Sequence, residues 1–201
     1  MAIPPVEIII AVISAYLLGS LSCAIIFAKW MQLPDPRALG SGNPGATNML
    51  RTGNKTAAAL TLAGDCLKGL IPLLVASNLN FSEVALCLMG GAAIIGHMYP
   101  VYYQFRGGKG VATTLGALLG VHWPLALIWA LVWLSIAKLS AYSSLAAIIA
   151  TLILPLAAWL LSLPLAVGVL MVVISVLVIW RHRSNIAKLL RGEESRIGTG
   201  K

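Results

Sequence analysis

The sequence predicts an all-α integral membrane protein of about seven transmembrane helices, some of them short, with the N-terminus outside and the C-terminus cytoplasmic. Three observations carry this expectation. Charged residues fill only 10% of the 201 positions and apolar ones 59%, whereas a soluble domain is about a quarter charged. The apolar residues gather into runs long enough to cross a bilayer, and mean hydropathy is +0.92. Basic residues are confined to alternate connections between those runs.

The first run, residues 8–28, meets the length of about 20 apolar residues that a span needs. A cleaved signal peptide carries basic residues ahead of its apolar core, but the first basic residue here is Lys29, so this run is expected to remain as a helix. The following candidates are residues 56–77, 84–99, 111–121, 123–137, 143–161 and 165–180. Every Lys and Arg except Lys68 falls in one of four clusters: residues 29–55, Arg106 with Lys109, Lys138 alone, and residues 181–201. The turns at residues 78–82, at His122 and at residues 162–164 hold none. Basic loops stay cytoplasmic, which sets the orientation. The stretch between Arg106 and Lys138 falls short of the roughly 40 residues that two full spans require, so its two helices are short or re-entrant. No repeat, linker or second unit is visible, and residues 1–201 are expected to form a single transmembrane domain.

A net charge of +8 would suit a nucleic-acid binder, but here the basic residues sit between apolar runs and are not interleaved with aromatics on a polar domain. Membrane lipid and anionic substrates are the expected partners, and nucleic acid is not. Cys23, Cys66 and Cys87 each lie inside an apolar run, without a CxxC pair or a histidine grouping, which argues against a disulfide or a metal site.

Chemistry is concentrated in the polar connections. Residues 40–48 read Gly-Ser-Gly-Asn-Pro-Gly-Ala-Thr-Asn and are followed by Arg51. Closely spaced glycines let backbone N–H groups converge beside a helix N-terminus, and Ser41, Thr47, Asn48 and Arg51 add side-chain donors suited to phosphate. A flexible polar turn would use the same residue types. Gly107, Gly108, Lys109 and Gly110 form a second such loop after Arg106; without Ser or Thr after the lysine it is not a nucleotide-binding P-loop. Asp65 and Lys68 lie at i, i+3 spacing inside an apolar run, where they can neutralise each other. His182 and Asn185 share one face of a helix that leaves the last run. Two anion nests with several cations are more than one phosphate requires, and they suit two phosphorylated ligands meeting at one site. No Ser-His-Asp grouping and no metal-ligand cluster is visible, which points to catalysis by positioning and charge stabilisation.

With these motifs in view, the sequence resembles the bacterial acyl-phosphate:glycerol-3-phosphate acyltransferases (the PlsY family) over nearly its whole length. The resemblance rests on GSGNPGATNMLR at residues 40–51, DCLKG at 65–69, GHMYPVYYQFRGGKGVAT at 96–113, RHRSN at 181–185 and the late Glu194. It implies transfer of an acyl group from acyl phosphate to the C1 hydroxyl of glycerol 3-phosphate. It also implies a cytoplasmic-face site in the bacterial inner membrane, no metal or other cofactor, and function as a monomer. By resemblance, Ser41, Arg51, Lys109, His182 and Asn185 line the acceptor and catalytic site. Gly42, Asn43, Gly45, Thr47 and Asn48, with Gly107 and Gly108, cradle the donor phosphate, and Glu194 holds the C-terminal segment. Acyl-CoA-using relatives in function carry His-x4-Asp, and none of His97, His122 or His182 has Asp at that offset. The alternative reading is a transporter for a phosphorylated solute, which would more typically show paired repeats and midplane breaks.

Overall fold

The computed structural model describes residues 3–197; Lys201, the last residue of the basic tail, lies outside them. The helices are α1 (Pro5–Gly19), α2 (Cys23–Trp30), α3 (Ala46–Arg51), α4 (Lys55–Asn78), α5 (Glu83–Met98), α6 (Val111–Val121), α7 (Trp123–Ser140), α8 (Ser143–Leu160), α9 (Leu165–Arg181) and α10 (Arg183–Leu190). Helices α4, α7 and α8, and α5 together with the short turn that continues it to Tyr103, are each long and apolar enough to cross a membrane, and two bent pairs, α1 with α2 and α9 with α10, raise the number to as many as six. This is an all-α, multi-pass membrane fold. Side chains such as Leu131, Leu152, Val172 and Trp159 stand exposed on its outer surface, as a lipid-facing surface requires.

Local chemistry explains where the helices start. Asn54 Oδ1 accepts from the Ala57 N–H at 2.8 Å and Ser82 Oγ from the Ala85 N–H at 3.3 Å, capping α4 and α5. Pro124 lies in the first turn of α7, where its missing N–H removes no helical bond.

Residues 8–28, expected as one helix, are instead broken at residues 20–22, where α2 turns 46° away from α1. The break releases the Leu21 carbonyl, and an unpaired carbonyl in an apolar layer is costly. Lys68 of α4 supplies the donor, its ammonium lying 2.5 Å from that oxygen. The donor comes from another helix, so the first run by itself carries no sign of the break.

Packing relies on close backbone approach. A Cβ on Gly116 would overlap the Cys66 carbonyl between α6 and α4, and one on Gly96 would overlap the Tyr16 carbonyl between α5 and α1. Glycine at these contacts gains dispersion energy where lipid supplies little hydrophobic drive. A larger core of Ile94, Met98, Leu118, Leu125, Leu154, Met171 and Ile174 binds α5 through α9.

Helices α6 and α7 are joined through His122 alone, so α6 ends at the level where α7 begins. At 1.5 Å per residue the 11 residues of α6 rise about 16 Å and the 18 of α7 about 27 Å. The end of α6 that follows Lys109 is therefore recessed roughly 10 Å relative to the Ser140 end of α7.

Candidate active site

At the recessed end, three segments meet: the connection into α3, the loop before α6, and α10 with the residues beyond it. With α4, α7 and α8 they enclose a cavity of about 520 Å³. Its polar part is lined by Ser41, Asn43, Thr47, Arg51, Lys109, His182, Asn185 and Glu194, together with Ser143 and Ser144. Farther along α4, α6 and α7 the wall becomes apolar, with Leu62, Leu115, Trp129, Ala130, Trp133 and Leu134.

The first loop is organised by Asn48, which is 1% exposed. Its amide donates to the Pro36 carbonyl at 2.7 Å and the Leu39 carbonyl at 3.0 Å, while its Oδ1 accepts from the Ser41 N–H at 2.9 Å and the Ser41 hydroxyl at 3.2 Å. Both amide hydrogens are thus engaged, and Asn48 shapes the loop without one left for a ligand. Gly40 and Gly42 take left-handed φ of 54° and 70°, a conformation that disfavours any Cβ. Thr47 and Ser143 pair through their hydroxyls at 3.2 Å. Arg51 donates through Nη2 to the Ser195 carbonyl at 3.2 Å, while its Nε is buried without a hydrogen-bond partner among the described residues. A buried guanidinium N–H beside a cavity is a ready anion donor.

The second loop presses its glycines against the end of α5. The Gly108 N–H donates to the His97 carbonyl at 3.0 Å, and a Cβ on Gly108 would overlap the His97 ring. Lys109 follows and donates to Asn185 Oδ1 at 2.6 Å. An ammonium only donates, which fixes the amide orientation: Asn185 Nδ2 points to Glu194 Oε1 at 2.7 Å. Ser144 Oγ donates to the same carboxylate oxygen at 2.7 Å. Burial pushes the Lys109 ammonium down to about 8; Glu194 opposes this, and Arg51, Arg181 and Lys188 add to it. His182 sits at the kink between α9 and α10 with Nδ1 2.8 Å from the Val178 carbonyl. A carbonyl only accepts, so Nδ1 carries the hydrogen and Nε2 remains for the cavity that the ring lines.

Below the polar part, Asp65 lines the cavity, pairs with Lys68 at 2.8 Å and lies 3.6 Å from His97 Nδ1. Of the residues singled out in the sequence, Ser41, Asn43, Gly45, Thr47, Asn48, Arg51, Asp65, Lys109, His182, Asn185 and Glu194 line the one cavity. Gly42, Gly107, Gly108 and Lys68 are not part of its lining. The sequence reading did not identify Ser143, Ser144, the apolar wall or Arg181, which holds the second loop from behind. A signal for the two serines lay in their place, directly after a short basic connection and opening an apolar run. Among the described residues no three His, Cys, Asp or Glu side chains come together as metal ligands do.

The family model described as glycerol-3-phosphate acyltransferase matches residues 9–192 of the chain. A glycerol-3-phosphate acyltransferase of Methylococcus capsulatus is 50% identical over 184 residues, covering 92% of this chain and 93% of the relative. One of Burkholderia multivorans is 52% identical over 199 residues, covering 97% and 93%. Among solved structures, the crystal structure of PlsY (YgiH), an integral membrane glycerol 3-phosphate acyltransferase, in its glycerol 3-phosphate form, superimposes with a TM-score of 0.91 at 44% identity over 96% of each chain. Its lysophosphatidic acid form gives 0.88 at 42% identity, covering 94% of this chain and 95% of that one.

Proposed function

The chain belongs to the glycerol-3-phosphate acyltransferase family, and on that premise we propose that it transfers an acyl group from acyl phosphate to the C1 hydroxyl of glycerol 3-phosphate. The products are 1-acylglycerol 3-phosphate and inorganic phosphate. The observation that carries this reading is a cavity with Arg51, Lys109 and His182 at one end and Leu62, Trp129, Trp133 and Leu134 along the other. Such a cavity suits two phosphate groups and an acyl chain at once.

In this reading Arg51 and His182 hold the acceptor phosphate, with Ser41 beside them; the bound dianion favours the imidazolium form, in which Nε2 donates. The C1 oxygen attacks the acyl carbonyl carbon, and negative charge develops first on the carbonyl oxygen and then on the departing phosphate. Lys109 lies between the two ligands and stabilises that charge, steadied by Asn185. The proton from the C1 hydroxyl passes to the phosphate that leaves, so the transfer balances without a protein carboxylate. Asn43, Gly45 and Thr47 face the donor phosphate, while Gly42, Asn48, Gly107 and Gly108 shape the loops around it. Glu194 anchors the C-terminal segment, and the Asp65–Lys68 pair braces α4 against the broken first span.

The protein is a multi-pass protein of the bacterial inner membrane that acts as one domain and as a monomer, with its site on the cytoplasmic face. The orientation is supported by the basic residues, which gather on the connections that carry the site. A count of seven crossings is supported if α6 is included as a short one. The test is acyl transfer by purified protein given acyl phosphate and radiolabelled glycerol 3-phosphate, with and without exhaustive chelation, beside acyl-CoA. Labelled lysophosphatidic acid from acyl phosphate alone, undiminished by chelator, is expected; comparable turnover with acyl-CoA would overturn the donor assignment.

A further inference from the structure

Lys109 lies beyond two residues that have no side chains of their own to anchor them. Gly107 and Gly108 are pressed against residues 97–100, and a Cβ on Gly107 would overlap the His97 carbonyl. What holds their outer side is Arg181. Its Nη2 donates to the Gly107 carbonyl at 2.7 Å and its Nε to the Gly108 carbonyl at 3.0 Å. The guanidinium lies 5.2 Å from the centre of the Tyr99 ring, and the Tyr99 carbonyl in turn accepts from the Tyr16 hydroxyl at 2.9 Å. The clamp therefore ties the loop to α9, α5 and α1 at once.

Arg181 and Asn185 are one helical turn apart in sequence, on either side of the His182 kink. The first grips two successive carbonyls of the loop, and the second takes the ammonium of the next residue at 2.6 Å. Two points of attachment on three consecutive residues leave the Lys109 side chain little freedom. Arg181 does not itself line the cavity, so contact with substrate does not explain its place.

On the reading of the function given above, we propose that Arg181 is a positioning residue for acyl transfer: it fixes the Gly107–Gly108 backbone so that the Lys109 ammonium is held at the reacting groups. Its planar fork meets two carbonyls along one edge, a task that a lysine, as a point donor, does not reproduce. Small displacements of a charge-stabilising group are felt mainly in the transition state.

The experiment is a double-mutant cycle of Arg181→Gln with Lys109→Ala, with Arg181→Lys as a second variant, on full-length protein that remains monodisperse in detergent. Initial rates with acyl phosphate and glycerol 3-phosphate are measured at enzyme concentrations that make residual turnover countable. Arg181→Gln and Arg181→Lys are expected to lower kcat on the order of 10- to 100-fold, with the KM for glycerol 3-phosphate within about twofold of the parent value. In the Lys109→Ala background Arg181→Gln is expected to add no further loss, because its effect passes through Lys109. Additive losses, a change confined to KM, or full kcat in Arg181→Lys would each overturn the proposal. Should Arg181→Gln fail to fold, Arg181→Lys carries the same cycle. Failure of the transferase reading itself is distinguishable, since the unsubstituted protein would then show no transfer at all.

Discussion

Lys109 and Glu194 are joined through one amide: Asn185 accepts from the lysine on its oxygen and donates to the carboxylate from its nitrogen, at 2.6 and 2.7 Å. The amide separates a cation from an anion and uses both faces of its polarity. Asn185→Asp would place a carboxylate against Glu194. This substitution is expected to lower the melting temperature by about 3 to 10 °C and to depress activity with it. Adding Glu194→Gln should recover most of the loss, because the new amide can donate where the carboxylate could not. Thermal melts and initial rates of the two single variants and the double variant check this; a double variant no better than Asn185→Asp would show that the like charges are not the cause.

Arg51 and Lys109 line the same cavity but are assigned different work, and kinetics separate them. Lys109→Ala removes charge stabilisation that is strongest in the transition state, and kcat and kcat/KM are expected to fall together by roughly 10²- to 10³-fold. Arg51→Ala removes a grip on a phosphate present throughout, and the KM for glycerol 3-phosphate is expected to rise on the order of tenfold or more, with a smaller change in kcat. Lys109→Ala altering only KM would exclude its proposed role.

The pH dependence follows from burial. Lys109 is charged below about 8 and neutral above it, so a rate that needs the ammonium is lost as pH rises through that value. A plot of kcat/KM for glycerol 3-phosphate, which reports the free enzyme, is expected to bend downward near pH 8. Lys109→Arg keeps its charge across the range and should abolish the bend whatever its absolute rate. Persistence of the bend in that variant would assign it to another group.

The apolar wall is expected to hold the donor chain. Leu62 and Leu134 stand 51% and 59% exposed, so the cavity opens sideways toward lipid and sets no hard limit on chain length. Ala130→Trp would narrow it. At about 0.8 kcal/mol per methylene, loss of a few methylene contacts should lower kcat/KM for long-chain acyl phosphates on the order of tenfold or more, while short-chain donors change little. Equal losses for both would show that the chain lies elsewhere.

Orientation is tested with single cysteines at two exposed positions on opposite ends of the bundle, Ser184 and Glu83. In intact cells an impermeant thiol reagent is expected to label Glu83→Cys and to leave Ser184→Cys unmodified until the membrane is opened. The reverse pattern would invert the topology.

Much of the fold was legible because apolar runs and their breaks follow solvent and not tertiary partners: residues 111–121 were bounded as they stand in α6. The loops were legible because glycine, cations and hydroxyls seldom crowd together for bulk alone. What stayed hidden depends on contacts distant in sequence. The break after Gly19 rests on Lys68, and the second loop rests on Arg181, whose place in the RHRSN motif gives no sign that its partners are the Gly107 and Gly108 carbonyls. Asn48 read as a ligand donor, yet its hydrogens go to Pro36 and Leu39, a choice that only the folded loop reveals.

The shortness of α6 bears on how two substrates of opposite solubility meet. Drawing a dozen methylenes of an acyl chain out of lipid would cost about 10 kcal/mol at roughly 0.8 kcal/mol each, whereas glycerol 3-phosphate moves freely in water. A floor sunk roughly 10 Å below the end of α7 would let the small solute descend toward the acyl carbonyl while the chain stayed in its own leaflet from donor to product. The enzyme is in this sense a dent in the membrane surface, and a thicker bilayer would deepen that dent and lengthen the polar substrate's descent without touching a single reacting group.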